Sequence, residues 1–378
     1  MITPPRRLEK RNSMENEQLK LIDVIEEMWT QKDVPLEPMR VARDIMNADV
    51  KTLTLDHTVN QCIKFMESYK VQHVPVVDLP YAGEKKPYFI GVVSQRDVLR
   101  LNVPDDKETG IHTHEIDQKA LRQLLVQIVA RKPHSVSLQT PIQDVIAALI
   151  RYHIDMLPVL DKDDLVGTIT ITELIKLLFR LDKAAKQLCG ELKDAAMASN
   201  NPAKAEVLFS WISRTVQEIM TEQPICLDAK DNIATAIEVI QTKEIRHILI
   251  IDEQKTFVGL VSDRNILKNL PFAGRRPPRP PKKFREHLFA STPHAKIPEL
   301  PLESIMVPKS KVFHVPPGFS VFDAADIMNK KIISCLPVID EQEKLRGIVT
   351  TTDLMRALLA AYEPAEKDQL ILSQSSSR

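Results

Sequence analysis

One phrase, written four times, constrains this chain more than any other feature. An apolar strand ends in Asp, a polar turn follows, a second strand opens with Gly, and a helix begins. The first copy runs from His73-Val74-Pro75-Val76-Val77-Asp78 to Gly91-Val92-Val93-Ser94-Gln95-Arg96-Asp97. The second runs from Met156-Leu157-Pro158-Val159-Leu160-Asp161 to Gly167-Thr168-Ile169-Thr170-Ile171-Thr172-Glu173. His247-Ile248-Leu249-Ile250-Ile251-Asp252 leads to Gly259-Leu260-Val261-Ser262-Asp263-Arg264-Asn265 in the third, and Cys335-Leu336-Pro337-Val338-Ile339-Asp340 to Gly347-Ile348-Val349-Thr350-Thr351-Thr352-Asp353 in the fourth. Recurrence at roughly 80 to 90 residues means that each copy folds alike and packs against its siblings.

Each unit carries the same parts in the same order. A segment such as Asp44-Ile45-Met46, Glu218-Ile219-Met220 or Ser304-Ile305-Met306 precedes an alternating strand, here Val50 to Leu55 in the first copy. An amphipathic helix follows. In the second copy it is expected from Ile142 to Tyr152, where Ile142, Val145, Ile146, Leu149 and Ile150 form one face. The two strands of the phrase and a closing helix, such as Leu354 to Ala361, complete a β-α-β-β-α unit. The first copy stretches its hairpin with a Pro- and Gly-bearing loop from Leu79 to Pro87, which interrupts the pairing without disturbing the sheet.

The fold class is therefore α+β. The expected division is an N-terminal helical extension (1–40), repeat one (41–105), repeat two with its preceding linker (106–180), a helical linker (181–213), repeat three (214–270), a Pro-rich basic linker (271–300), repeat four (301–362) and a polar tail (363–378). Glu15 to Lys32 reads as an amphipathic acidic helix around Leu19, Ile22, Val24, Ile25 and Met28, either a docking surface or a cap. Leu174 to Val216 reads as largely helical, broken at Asn200-Asn201-Pro202.

Formal net charge is zero, which removes bulk electrostatics as an argument for nucleic acid or an anionic membrane. The four cysteines, Cys62, Cys189, Cys226 and Cys335, lie far apart with no CxxC pair and read as buried thiols. No stretch approaches the ~20 apolar residues of a membrane span, and Met1 to Arg7 lacks the apolar run of a signal peptide, so a cytoplasmic protein without membrane association is expected. The pair His112 and His114 stands without further ligands, and no metal is expected. The chain contains no GxGxxG, P-loop or GxSxG motif, and the repeats leave little chain for a catalytic core. A non-enzyme is expected.

The apolar-Pro-Val-apolar-Asp strand and the Gly-x-x-Ser/Thr-x-x-Asp helix start resemble those of the cystathionine-β-synthase (CBS) domain family. The resemblance implies that consecutive units pair through their sheets into Bateman modules with ligand clefts between units. Four units imply two modules, about 41–180 and 214–362, able to form a pseudo-symmetric disc. This layout is similar to that of the gamma subunit of AMP-activated protein kinase.

Two readings fit the Ser/Thr-x-x-Asp element. It has the spacing of a capping box, in which each side chain satisfies a backbone N–H at the helix start. The resemblance also assigns the Asp to the hydroxyls of a ribose and the helix start, with its hydroxyl, to phosphate. Ser94, Asp97, Thr350 and Asp353 match the family pattern in full, and Arg96 lies between the first two. Thr170 with Glu173 and Ser262 with Asn265 depart from it. Glu173 adds a methylene and Asn265 is neutral, so one main site per module is expected. His73, Arg246 and His247 precede the apolar strands where gamma-like proteins place cations against phosphates. Arg131, Lys132 and His134 precede the first strand of repeat two and are weaker candidates. An exposed structural role fits each of them equally.

The resemblance implies a regulatory protein whose ligand is an adenine nucleotide, AMP, ADP or ATP, with S-adenosylmethionine also compatible. It would act on an unidentified protein target as a monomeric disc or a homodimer. The alternative is a ligand-silent scaffold for protein–protein interaction. Arg275 to Arg285, with six basic residues and four prolines, reads as an exposed spacer, with nucleic-acid binding the lesser reading.

Overall fold

The four phrases fold into four antiparallel hairpins. The structure is a computed structural model and describes residues 19–30, 39–78, 87–100, 124–193, 202–269 and 300–363; at 96, 99–100, 191–193 and 267–269 the description stops at the backbone. In repeat one, β1 (Leu53–Thr54) runs parallel to β2 (His73–Asp78), which pairs antiparallel with β3 (Tyr88–Ser94). A strand of repeat two, β4 (Ala130–Arg131), completes that sheet. Repeat two repeats the order with β5 (Val136–Ser137), β6 (Met156–Asp161) and β7 (Asp164–Thr170). Repeat three has β8 (Cys226–Asp228), β9 (His247–Ile251) and β10 (Phe257–Ser262), extended by β11 (Val307–Pro308) of repeat four. Repeat four has β12 (Cys335–Ile339) and β13 (Leu345–Thr350); its first strand shrinks to one parallel bridge, Val315 to Val338. Pro316 and Pro317 follow that bridge and have no N–H to extend it.

Helices fill the expected places. They are α1 (Leu21–Trp29), α2 (Ala42–Ile45), α3 (Val59–Tyr69), α4 (Gln95–Arg100), α5 (Ile142–Arg151), α6 (Ile171–Lys193), α7 (Pro202–Ile212), α8 (Val216–Ile219), α9 (Ile233–Thr242), α10 (Asp263–Asn269), α11 (Val321–Lys331) and α12 (Thr351–Leu359). The strand expected from Val50 to Leu55 is limited to β1. After it the chain turns, and the Thr54 N–H donates to His57 Nδ1 at 3.2 Å. The closing helix of repeat two and the linker after it are one continuous element, α6, so the division expected at 180 falls inside a helix. Its Leu177, Leu178, Leu181, Ala184, Ala185 and Leu188 are buried. The break expected at Asn200-Asn201 lies outside the described residues; the next described helix runs from Pro202, where the missing N–H costs nothing. The hairpin loop of repeat one, 79–86, and the basic Pro-rich linker lie outside the described residues.

Within each pair the repeats exchange their leading segments. Residues 130–131 of repeat two pair with Gly91 and Val92 of repeat one, while Asn47 of repeat one bridges Thr168 of repeat two. Repeats three and four do the same, with Gly259 opposite Pro308 and Thr221 opposite Ile348. This exchange explains the recurring glycine. A Cβ on Gly91 would lie 2.2 Å from the Ala130 carbonyl oxygen, on Gly259 2.7 Å from that of Val307, and on Gly347 2.6 Å from that of Thr221. On Gly167 it would meet the Met46 sulfur at 2.6 Å. The methionines of the leading segments, Met46, Met220 and Met306, thus lie over the glycines of the partner repeat. Every hairpin also carries a register shift beside this glycine. Such bulges increase the local twist.

Two large cores close the four repeats into a ring. One joins repeats one and three, with Val59, Ile63 and Val74 against Ile233, Ile248 and Ile266. The other joins repeats two and four with α1 and α7, through residues such as Ile146, Leu181, Leu208, Phe322 and Leu354. With the exchanged strands, the neighbour order is one, two, four, three. Helix α1 buries Leu21, Ile22, Val24 and Ile25, and the Ile22 N–H donates to the Ala361 carbonyl at 3.1 Å. Its apolar face is therefore spent on this chain, as a cap. Each fully buried Ile contributes about 1.5–3 kcal/mol relative to exposure.

Candidate ligand site at the helix starts

In all four Ser/Thr-x-x-Asp/Glu/Asn elements the fourth side chain accepts from the N–H and hydroxyl of the first residue. Ser94 N–H and Oγ–H donate to Asp97 Oδ2 at 2.8 and 2.6 Å, and the Asp97 N–H returns to Ser94 Oγ at 3.2 Å. Thr350 N–H and Oγ1–H donate to Asp353 Oδ2, both at 2.8 Å. Thr170 donates through N–H, at 3.0 Å, and through Oγ1 to Glu173 Oε2. Ser262 donates to Asn265 Oδ1 at 3.1 and 2.5 Å. Capping is thus common to all four, whatever the residue at the fourth position.

The two full-pattern copies differ in burial. Asp353 is 3% exposed, and its second oxygen, Oδ1, accepts from Arg356 Nη1 at 3.0 Å, one turn further along α12. Burial pushes the Asp353 carboxyl above the ordinary carboxylate range, against the pull of the Thr350 hydroxyl and Arg356. Asp97 is half-buried. The side chain of Arg96 lies outside the described residues. Its counterpart in repeat three, Arg264, donates to the Ile332 carbonyl of repeat four at 3.3 Å, and burial lowers its pKa.

A second four-fold regularity lies beside the boxes. The residue immediately before each apolar strand is Gln72, Asp155, Arg246 and Ser334 in turn, and its carbonyl accepts the first N–H of that repeat's closing helix. The distances are 2.9 Å from Gln95, 3.3 Å from Ile171, 3.2 Å from Asp263 and 3.0 Å from Thr351. Their side chains meet across repeats. Arg246 contacts the Asp155 carboxylate through Nη2 and donates to Gln72 Oε1 from Nη1 at 3.1 Å. His73 Nε2 lies 3.6 Å from Asp155 Oδ2, and His247 Nε2 lies 2.8 Å from Ser334 Oγ.

The structure therefore brings together His73, Arg246 and His247 with partners that sequence inspection passed over: Gln72, Asp155 and Ser334. Aligning the four copies one residue upstream of the strand shows them. Arg356 was likewise legible as an i, i+3 partner of Asp353. The remaining basic candidates are placed differently. Arg131 and Lys132 are exposed on and just after β4, and His134 stacks on Tyr152 with ring centroids 3.6 Å apart. Among the described residues no His/Cys/Asp/Glu group could hold a metal, and no helix is long and apolar enough to cross a membrane.

The CBS-domain family model matches residues 42–103, 125–180, 216–271 and 302–360, more than half of the chain. The chain belongs to the CBS-domain family. Its four CBS repeats form two Bateman modules, and CBS-domain proteins are in general regulatory. Protein MJ1404 of Methanocaldococcus jannaschii is 24% identical over 315 residues, which cover 83% of this chain and 61% of that protein. Protein MJ1225 of the same organism is 24% identical over 226 residues, 60% of this chain and 68% of that protein. The crystal structure of MJ1225, proposed as an archaeal homologue of g-AMPK, shares the fold. Its TM-score is 0.61 at 18% identity, over 84% of this chain and 99% of that one. An inosine-5'-monophosphate dehydrogenase of Nitrosopumilus maritimus is 25% identical over 151 residues, 40% of this chain and 25% of the dehydrogenase. The chain thus spans about three fifths of the first of these relatives and a quarter of the last.

Proposed function

We propose that this CBS protein is a non-catalytic, cytoplasmic regulator that binds an adenosyl ligand between its repeats and passes the binding event to a protein target by repacking its modules. The observation that supports this most is the meeting of His73 of repeat one and Arg246 of repeat three at Asp155 of repeat two, while His247 of repeat three bonds Ser334 of repeat four. Basic side chains from separate repeats give an anionic ligand a way to favour one module arrangement over another, and only differential affinity shifts such an equilibrium. Between the two full-pattern boxes, Asp97 is the less buried and is the one assigned here to a ribose. Ser94 and Thr350 are the hydroxyls assigned to phosphate.

Calorimetric titration with AMP, ADP, ATP and S-adenosylmethionine tests this proposal. Saturable binding that Asp97→Ala abolishes in a folded protein is the expected result. Absence of binding by all four would transfer the assignment to a ligand-silent scaffold. One observation favours that second reading: Glu173 and Asn265 accept from the N–H and hydroxyl of Thr170 and Ser262 just as the Asp copies accept from Ser94 and Thr350.

A further inference from the structure

The ring order one, two, four, three places repeats two and three on a diagonal, so a contact between them must cross the centre. Asp155 of repeat two and Arg246 of repeat three make that contact, each only 14% exposed at the side chain. Gln72 and His73 of repeat one flank it. The pre-strand position does not require a carboxylate to fold. Gln72, Arg246 and Ser334 occupy it in the other repeats with the same helix N–H bonded to their carbonyl. What distinguishes Asp155 is charge, set against the one Arg at this position.

We propose that Asp155 is an internal counter-anion that sets the charge of ligand the centre accepts. It occupies Arg246 and lies beside His73, so the centre admits an adenosyl ligand with no more than one phosphate and excludes a polyphosphate. This deepens the function proposed above and rests on that reading for the adenosyl moiety, though not for the exclusion of polyphosphate. The carboxylate and guanidinium cancel each other's charge. An entering polyphosphate would have to separate a partly buried pair and stand against the displaced carboxylate, where screening is weak. Removing one negative charge at such a distance changes anion affinity on the order of tenfold or more.

The test is calorimetric titration of the full chain with tripolyphosphate and, separately, with AMP. Asp155→Asn should bind tripolyphosphate at least about tenfold more tightly than wild type, and Asp155→Glu, which keeps the charge, should stay near wild type. Adding Arg246→Gln to Asp155→Asn should abolish the gain. Equal tripolyphosphate affinity in wild type and Asp155→Asn, no binding to either, or a gain that survives Arg246→Gln would each overturn the proposal. Should Asp155→Asn not fold, Asp155→Ser, carrying the residue of repeat four at this position, replaces it. The AMP arm is separate: failure of AMP to bind wild type removes the adenosyl assignment and leaves the tripolyphosphate comparison to decide the role of Asp155.

Discussion

The Tyr362 hydroxyl donates to the Met39 carbonyl at 2.9 Å, tying the turn after α12 to the segment that leads into repeat one. Tyr362 is 3% exposed, and burial pushes its phenol well above the ordinary value of 10.0. Because the folded pKa is raised, the neutral phenol's contribution is fully present below pH 10 and is lost as pH rises beyond it. Tyr362→Phe should cost about 1 kcal/mol at pH 7. Above pH 10 the variant should lose stability less steeply than wild type, which denaturant unfolding at pH 7 and pH 10.5 measures.

The exchanged strands make glycine substitutions unequal. Gly91→Ala would place a methyl 2.2 Å from the Ala130 carbonyl, a backbone atom that cannot yield without opening the β3–β4 pairing. We expect a loss of at least ~2 kcal/mol. Gly190 is exposed in α6, and a Cβ added there would meet nothing within 4 Å, so Gly190→Ala should stabilise by up to ~1 kcal/mol. Thermal unfolding of the two variants should shift in opposite directions.

Helix α11 ends on a β-branched residue in the left-handed region, Ile332 with φ 55°. Its side chain is half exposed, so little burial offsets the steric cost. Ile332→Gly should therefore stabilise by about 1 kcal/mol. The carbonyl that accepts from Arg264 is kept, and chemical denaturation provides the measurement.

Thiol chemistry should separate the cysteines. Cys62, Cys189 and Cys335 are buried, and burial pushes the Cys62 thiol up to about 12 and Cys335 higher still. Cys226 is half-buried, with a smaller rise of the same origin. A native-state assay with an aromatic disulfide reagent at pH 8 should label Cys226 first, with the other three reacting on unfolding. Mass mapping of the first labelled thiol identifies it.

Much of the fold was legible because its signals are local. The repeated apolar phrase gave the hairpins, although each second strand begins two or three residues before the Gly expected to open it, and Ser94 to Asp97 or Thr350 to Asp353 marked helix starts by a spacing that local hydrogen bonds enforce. The apolar face of Ile142, Val145, Ile146 and Leu149 lies buried as the period implied. What was not legible is non-local. Nothing in residues 130–131 or at Asn47 announces that they leave their own repeat, and nothing near Asp155 announces a partner 91 positions away in Arg246. The capped boxes were readable as boxes, and Arg356 as a partner of Asp353 by its i, i+3 spacing.

The exchange of leading segments also bears on how such a chain could have grown. A gene fragment encoding one repeat would yield a sheet lacking an edge strand and a glycine lacking its neighbour, a product prone to self-association. A fragment encoding two would be self-sufficient in both. Heritable gain, loss or transplantation should therefore proceed in pairs, and the glycine and the methionine that covers it should change together because they lie in different repeats of one selectable unit.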